Sequence, residues 1–477
     1  YTTHPNNNPT FESTFSSLGL KTSEPPKTTV SVSPRVGFNW AADEDRNLQV
    51  RGGFGVFYGR YPAVWVSNQY SNTGVDFYTV STAPSSFIAD PNGQPKTATT
   101  LPTAEVNITD PNFKAPSILR YNLAFDHRLP FDLVASVEGV FSKSINEVYY
   151  QNINLKGVKG RITGENRERW KDINATTGAY VTTVGGVNTF LVNPAFTAVY
   201  LVKNTNQGSN ANVIVQLQRQ SFADGFYANL GYVWGLAKDI GGTNSTTASS
   251  GWRFNPTPGN PNNPVLSYAD ADRRHRLFGT VSYRYDWGQM TMGMDGFATT
   301  IGLFYNGISG RPFSYIINGD VNGDGLSDND LAYIPRDQSD IILVTTTGAA
   351  APQSDYDALF AYINNDEYLK DRKGQMAERN ASRSPWQSNI DLRITQEIPS
   401  FYGHRIEITF DVINLGNLVN KESGWVRLAS DTRLLNFVSI DPATNKARYR
   451  WTAVSDPNIA SNTLSRWTAQ FGLRYTF

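Results

Sequence analysis

The densest group of potential ligands is the run Asp320-Val-Asn322-Gly-Asp324-Gly325-Leu-Ser-Asp328. Side-chain oxygens fall at loop positions 1, 3, 5 and 9 with glycine at 6, the spacing with which hard cations collect oxygen ligands around a sharp turn. Position 12 carries Leu331 in place of a bidentate Glu, and Asp330 stands one place early. Asp320, Asn322, Asp324 and Asp328 are therefore the candidate metal ligands, for a structural Ca2+ in a loop. Without a metal, the same Asn-Gly and Asp-Gly steps make tight turns. A second group is aromatic: Tyr61, Trp65, Tyr70, Phe77, Tyr78 and Phe87 crowd one stretch. Trp65, Tyr70, Phe77 and Tyr78 are the candidate substrate contacts, because such rings stack on a sugar or grip a peptide. Packing of the loop, or contact with a surface lipoprotein, explains these rings equally well.

No catalytic or cofactor-binding residue is indicated. His4, His127, His275 and His404 are scattered, no Ser/His/Asp spacing marks a nucleophile, and carboxylate neighbours such as Asp43 and Glu44 lie in turns. The absence of cysteine excludes disulfides, thiol catalysis and cysteine metal sites. The 42 basic and 42 acidic residues cancel, so no basic excess points to nucleic acid. The charged run Asp270 to Arg276 (DADRRHR) sits at a strand entry and reads as rim electrostatics.

The elements that hold these groups alternate. Leu119, Tyr121, Leu123, Phe125, His127 and Leu129 oppose Arg120, Asn122, Ala124, Asp126 and Arg128. Similar runs lie near 34–41, 48–58, 133–141, 213–217, 226–234, 277–285, 295–308, 390–395 and 406–412, and the last covers 464–477. Strand side chains point to opposite sides, so each run has an apolar and a polar wall. About 11 of these runs approach the length that spans a bilayer as tilted strands. Arg, Glu and Asp at mid-strand cost a few kcal/mol facing lipid, which assigns the polar walls to a wet or plugged lumen. No apolar run is long enough for a spanning helix.

Short links near 42–46, 130–132, 221–225, 286–293 and 398–403 alternate with long ones near 60–116, 150–210, 239–272, 309–387 and 415–463. Tight inner turns and large outer loops alternate in this way in membrane barrels. Within the longest link the period shifts from two to about 3.6 over Ser354–Gly374. There Ser354 can cap a helix, Tyr356, Leu359, Phe360 and Ile363 share a face, and Gly374 can stop it.

The terminal strand ends in Gln470, Gly472, Tyr475 and Phe477, a pattern similar to the assembly signal of bacterial outer-membrane β-barrels. Longer stretches resemble the C-terminal half of TonB-dependent outer-membrane transporters of the Oar-like and SusC-like kind. They are Ser33 to Trp40 (SPRVGFNW), Leu48 to Arg60 (LQVRGGFGVFYGR), Val137 to Leu155, Ser309 to Pro335, Asp411 to Trp425 and the final FGLRYTF.

The expected fold is therefore all-β. Residues 1–477 would be one transmembrane antiparallel barrel domain, with 1–32 belonging to an external loop. The strands are odd in number and the chain begins inside an external loop; an open sheet of this kind leaves two edges, which lipid does not tolerate, so a comparable N-terminal half, a plug and a leader are expected outside this sequence. About 11 further strands give roughly 22, the size of plugged transporters. The resemblance implies energy-coupled uptake of a large nutrient, such as an oligosaccharide or peptide, with TonB-ExbB-ExbD as partner through the N-terminal part. A SusD-like surface lipoprotein is a candidate lid partner, and outer-membrane lipid surrounds the wall. The alternatives are a non-transporting surface barrel for adhesion or secretion, and a soluble β-rich enzyme or lectin that buries the same apolar faces.

Overall fold

The computed structural model describes residues 4–76, 87–93, 103–219, 224–242, 245–288, 296–453 and 456–477. Eleven strands follow one another in an antiparallel meander. We number them β1 (Arg35–Ala41), β2 (Leu48–Tyr58), β3 (Ser117–Leu129), β4 (Leu133–Asn152), β5 (Ser209–Arg219) and β6 (Phe226–Asp239). The second half is β7 (His275–Asp286), β8 (Ala298–Ile308), β9 (Gln387–Pro399), β10 (Arg405–Ile413) and β11 (Thr468–Thr476). Each strand pairs with the next, and β1 and β11 form the two ends of the path.

The register shows why the sequence alternates. Phe38 pairs with Gly52, Gly52 with Leu123, Leu123 with Gly139, Gly139 with Val213 and Val213 with Trp234. Directly paired residues share a face, so this row lies on one side of the sheet. That side is exposed: Leu119, Tyr121, Leu123 and Phe125 are between 38% and 49% accessible, and Phe471 and Leu473 reach 70%. A soluble protein would bury such a surface, and Phe471 and Tyr475 would then be the core. Here the sheet supplies almost no core on that face.

Glycine gives aromatic rings room on this wall. A Cβ at Gly52 would sit 2.8 Å from the Phe38 ring, and one at Gly139 would sit 2.9 Å from the Phe141 ring. The rings lie across the bare backbone, an arrangement that pins register in strongly curved sheets.

The links at one end are short in sequence (42–47, 130–132, 220–225, 287–297, 400–404), and those at the other end are long. The long connections fold together into a cap with its own core. A four-stranded sheet of Ile316–Asn318, Arg433–Ile440, Ala447–Arg450 and Ile342–Leu343 packs against the helix Gln353–Asn365. Tyr315, Ile317, Ile334, Leu343, Leu359, Ile363 and Tyr449 are nearly inaccessible there. A second core gathers Trp65, Phe113, Val148, Tyr150, Trp170, Tyr200 and Trp252 at the top of β4. In a third, Phe11 and Phe15 of the N-terminal segment pack on Val106, Ile108 and Val199, so residues 8–20 are part of the cap.

The helix differs from its sequence reading at both ends. It begins at Gln353 after Pro352, with no side-chain cap, which leaves Ser354 inside the first turn. Pro352 is the extended N-cap: its carbonyl accepts from the Asp355 N–H at 3.1 Å, and the Asp355 carboxylate sits in the first turn, where negative charge suits a helix start. The helix stops at Asn365, and Asp366 accepts hydrogen bonds from the backbone N–H groups of Tyr368 and Leu369. Gly374 instead turns the chain at φ +79° beyond the short 3-10 turn Leu369–Asp371.

Candidate functional site

Two surfaces bear polar chemistry: the inner wall of the sheet and the interior of the cap. On the wall, mid-strand charges meet across the register. Arg51 donates to Asp126 at 2.8 Å and to Glu138 at 3.1 Å, and Asn122 also donates to Glu138. Arg393 grips Asp411 through two hydrogen bonds of 2.6 and 3.0 Å, and Arg284 pairs with Glu397 at 3.1 Å. Every one of these residues is out of phase with the apolar row, so the charges line the face opposite the exposed rings. Paired charges half in contact with water are cheap to hold on such a wall and would be costly on the other.

Inside the cap, Arg167 is completely buried and bridges Glu165 at 2.9 Å and Asp330 at 3.2 Å. Its guanidinium also donates to the carbonyl of Leu331 at 2.6 Å, and the Tyr449 hydroxyl donates to Glu165. Glu165 and Arg167, Asp330 and Leu331, and Tyr449 come from three different long connections. Burial of such charges is tolerable only because every partner is satisfied. Burial also pushes the Tyr449 phenol up, with the Glu165 charge adding to it.

The Asp320–Asp328 loop lies beside this network. Asp324 accepts from Asn329 at 2.8 Å, from Asn322 at 3.1 Å and from the backbone N–H of Leu326 at 2.8 Å. Asp330 accepts from the backbone N–H of Val321 at 3.0 Å. Asp320 pairs with Lys171 at 2.7 Å, so an ammonium stands against the loop's first oxygen ligand. Asp328 turns outward to Arg433 at 3.0 Å. The fold thus brings Asp320, Asn322 and Asp324 together and leaves Asp328 apart. No group of three metal-ligating acidic or histidine side chains is arranged for a metal among the described residues. Burial, then the nearby Asp320 charge, raises the Asp324 carboxyl to about 6. Burial likewise raises Asp330, against the pull of Arg167.

Of the candidate aromatics, Trp65 is enclosed: its indole N–H donates to the Ser245 carbonyl at 3.2 Å and its ring stacks on Tyr61. Tyr70 is half-buried on the same helix, Val64–Ser71. Phe77 and Tyr78 lie outside the described residues. A cavity of about 310 Å³ opens near the base of the cap, between Lys238, Pro256, Tyr268, Met376 and Arg379. The spacing of residues gave no hint of it, because its walls come from distant connections.

Sequence reading also missed the role of Asp272. The DADRRHR run links the short strand Ser267–Tyr268, where Tyr268 pairs with Lys238, to β7, where His275 pairs with Trp234. Asp272 is buried in that link, accepts from the backbone N–H of Ala237 and pairs with Arg383 and Arg274.

The family model for the outer membrane beta barrel domain matches residues 6–447. The chain belongs to that family. It is an integral protein of the outer membrane, which accounts for an exposed apolar face on a sheet whose other face is charged. No curated protein matches the sequence. Among solved structures, the outer membrane transporter YddB from Escherichia coli is similar with TM-score 0.40 and 11% identity, over 94% of this chain and 41% of that one. A mutant of the ferric enterobactin receptor PfeA from Pseudomonas aeruginosa gives TM-score 0.39 and 11% identity, over 93% and 40%. The FrpB iron transporter from Neisseria meningitidis gives TM-score 0.39 and 9% identity, over 94% and 40%. The chain spans about two fifths of the length of these structures.

Proposed function

We propose that this chain forms the C-terminal half of a TonB-coupled barrel that imports a large nutrient, an oligosaccharide or a peptide. What carries the reading is the division of labour in the sheet: a charged inner wall, an apolar outer wall, and a folded cap over one end only. The cap end faces outside, because long connections are external in such barrels and short turns are internal. Strands outside residues 1–477 complete the wall, since β1 and β11 do not pair and lipid does not tolerate bare edges. A plug and a TonB-contact segment belong to that upstream part, with TonB-ExbB-ExbD as partner and a SusD-like lipoprotein as lid. The chemistry is gating and passage rather than bond breaking. Deleting the gene should abolish growth on the substrate, and loss of TonB should do the same. Uptake that continues without TonB would favour a surface barrel for adhesion or secretion instead.

Calcium at the Asp320–Asp328 loop stays a proposal from its spacing. In its support, Asp320 Oδ1 is buried with no hydrogen-bond partner. Against it, an entering cation has to displace the Lys171 ammonium. Added calcium should then raise the melting temperature of the cap, and Lys171→Gln should strengthen the effect. Unchanged melting after chelation, with Asp320→Ala and Asp324→Ala also silent, disposes of the site.

A further inference from the structure

The register carries the outer face one step above its apolar band, and there it becomes basic. Leu119 pairs with Lys143, Lys143 with Ser209, Ser209 with Lys238, and Lys238 with Tyr268. Paired residues share a face, so Lys143, Lys238 and Tyr268 lie on the same side as Leu119 and the exposed rings. Below Lys143 the outward positions of β4 are Leu133, Ala135, Val137, Gly139 and Phe141; below Lys238 those of β6 are Phe226, Ala228, Leu230, Tyr232, Trp234 and Leu236. Such a column, rising roughly 3.4 Å per residue along a strand tilted by about 45°, covers most of the ~25 Å apolar band. The two lysines therefore emerge where hydrocarbon gives way to headgroups. Two strand spacings separate them, roughly 9–10 Å.

Positive charge is concentrated here beyond these two. The Tyr268 ring is approached by Lys238 at 5.2 Å, Arg274 at 5.0 Å and Arg383 at 5.8 Å. One carboxylate, the buried Asp272, answers Arg274 and Arg383, while Asp270 is turned to Asn380 and Arg379. Neither Lys143 nor Lys238 has an acidic partner among the described residues, and Lys143 is exposed. Arg51, Arg284 and Arg393 on the inner wall each meet a carboxylate, whereas these two lysines meet none on the lipid side.

We infer that this rim, across β4, β5 and β6, binds the phosphate groups of an outer-leaflet lipid. Ammonium groups act as point charges toward phosphate, and juxtamembrane lysines attract anionic headgroups in proportion to their number. The tyrosine gives the flat, amphipathic ring that membrane interfaces favour. The inference rests on the orientation proposed above, which labelling a cysteine placed at Val184 in the cap, on intact cells, checks separately.

The test uses the full-length protein in detergent micelles doped with bisphosphorylated lipid A. The double variant Lys143→Gln/Lys238→Gln should bind roughly 10- to 30-fold more weakly than the unmodified protein. Lys143→Arg/Lys238→Arg should retain binding, and the glutamine variant should melt at the same temperature as the unmodified protein, which separates lost charge from lost fold. Phosphate-free lipid A should bind weakly and equally to all three. Equal binding of bisphosphorylated lipid A to the glutamine variant would overturn the inference. So would displacement by millimolar inorganic phosphate, which would mark a site for the free anion.

Discussion

Arg167 shows how single residues hold the cap together. Its charge is matched by Glu165 and Asp330, and its removal strands two buried carboxylates. Arg167→Met should cost about 3–5 kcal/mol, read as protease cleavage of the long connections while the barrel strands stay protected. The carboxyls of this region also set a pH dependence. Asp324 is raised to about 6 in the folded cap, above its unfolded value near 3.9. The folded state therefore binds the extra proton between those values, and cap stability rises as pH falls from about 7 to 4. Asp340 moves the other way: hydrogen bonds from Arg336, then from Tyr333, hold it at about 2. Its contribution is present above about 4 and disappears as pH falls toward 2. Thermal melting of the cap across this range should peak near pH 4–5. A monotonic fall from neutral pH would show that Asp324 is ionised and partnered, for instance by a bound cation.

At the scale of elements, the wall was legible and the cap was not, for a physical reason. Strands between lipid and water must alternate, so Leu119 to Phe125 and Phe471 to Tyr475 declare their faces in sequence. Boundaries were less clear: the run read at 213–217 extends over Ser209–Arg219, because Ser209 and Ala211 keep the pairing on the outer face while losing the apolar signal. In the cap, Glu165, Arg167, Asp330 and Tyr449 converge from connections far apart, and no period joins them. The Asp320–Asp328 spacing was visible, yet Lys171, which answers Asp320, had no signature at all. Trp65 was visible as an aromatic but not as a packed one, since burial of a loop ring depends on what the other loops do. The wall makes a simple contrast available. Leu123→Arg, on the outer face, should cost about 2–4 kcal/mol in lipid-bilayer unfolding. Asn122→Arg, one residue away on the inner face beside Glu138, should be close to neutral. Equal costs would mean that the two faces meet the same medium.

At the scale of the molecule, everything turns on which side of the sheet touches lipid. The charged wall has a transport path to line only if the exposed rings are outside, and the basic rim meets headgroups only under the same condition. The direct measurement is a nitroxide scan along β3 of the full-length protein in bilayers, from Leu119 to Asp126. Labels at 119, 121, 123 and 125 should collide with oxygen dissolved in lipid, and those at 120, 122, 124 and 126 with a water-soluble paramagnetic reagent. A scan without this two-residue period, or with its phase reversed, would contradict the account.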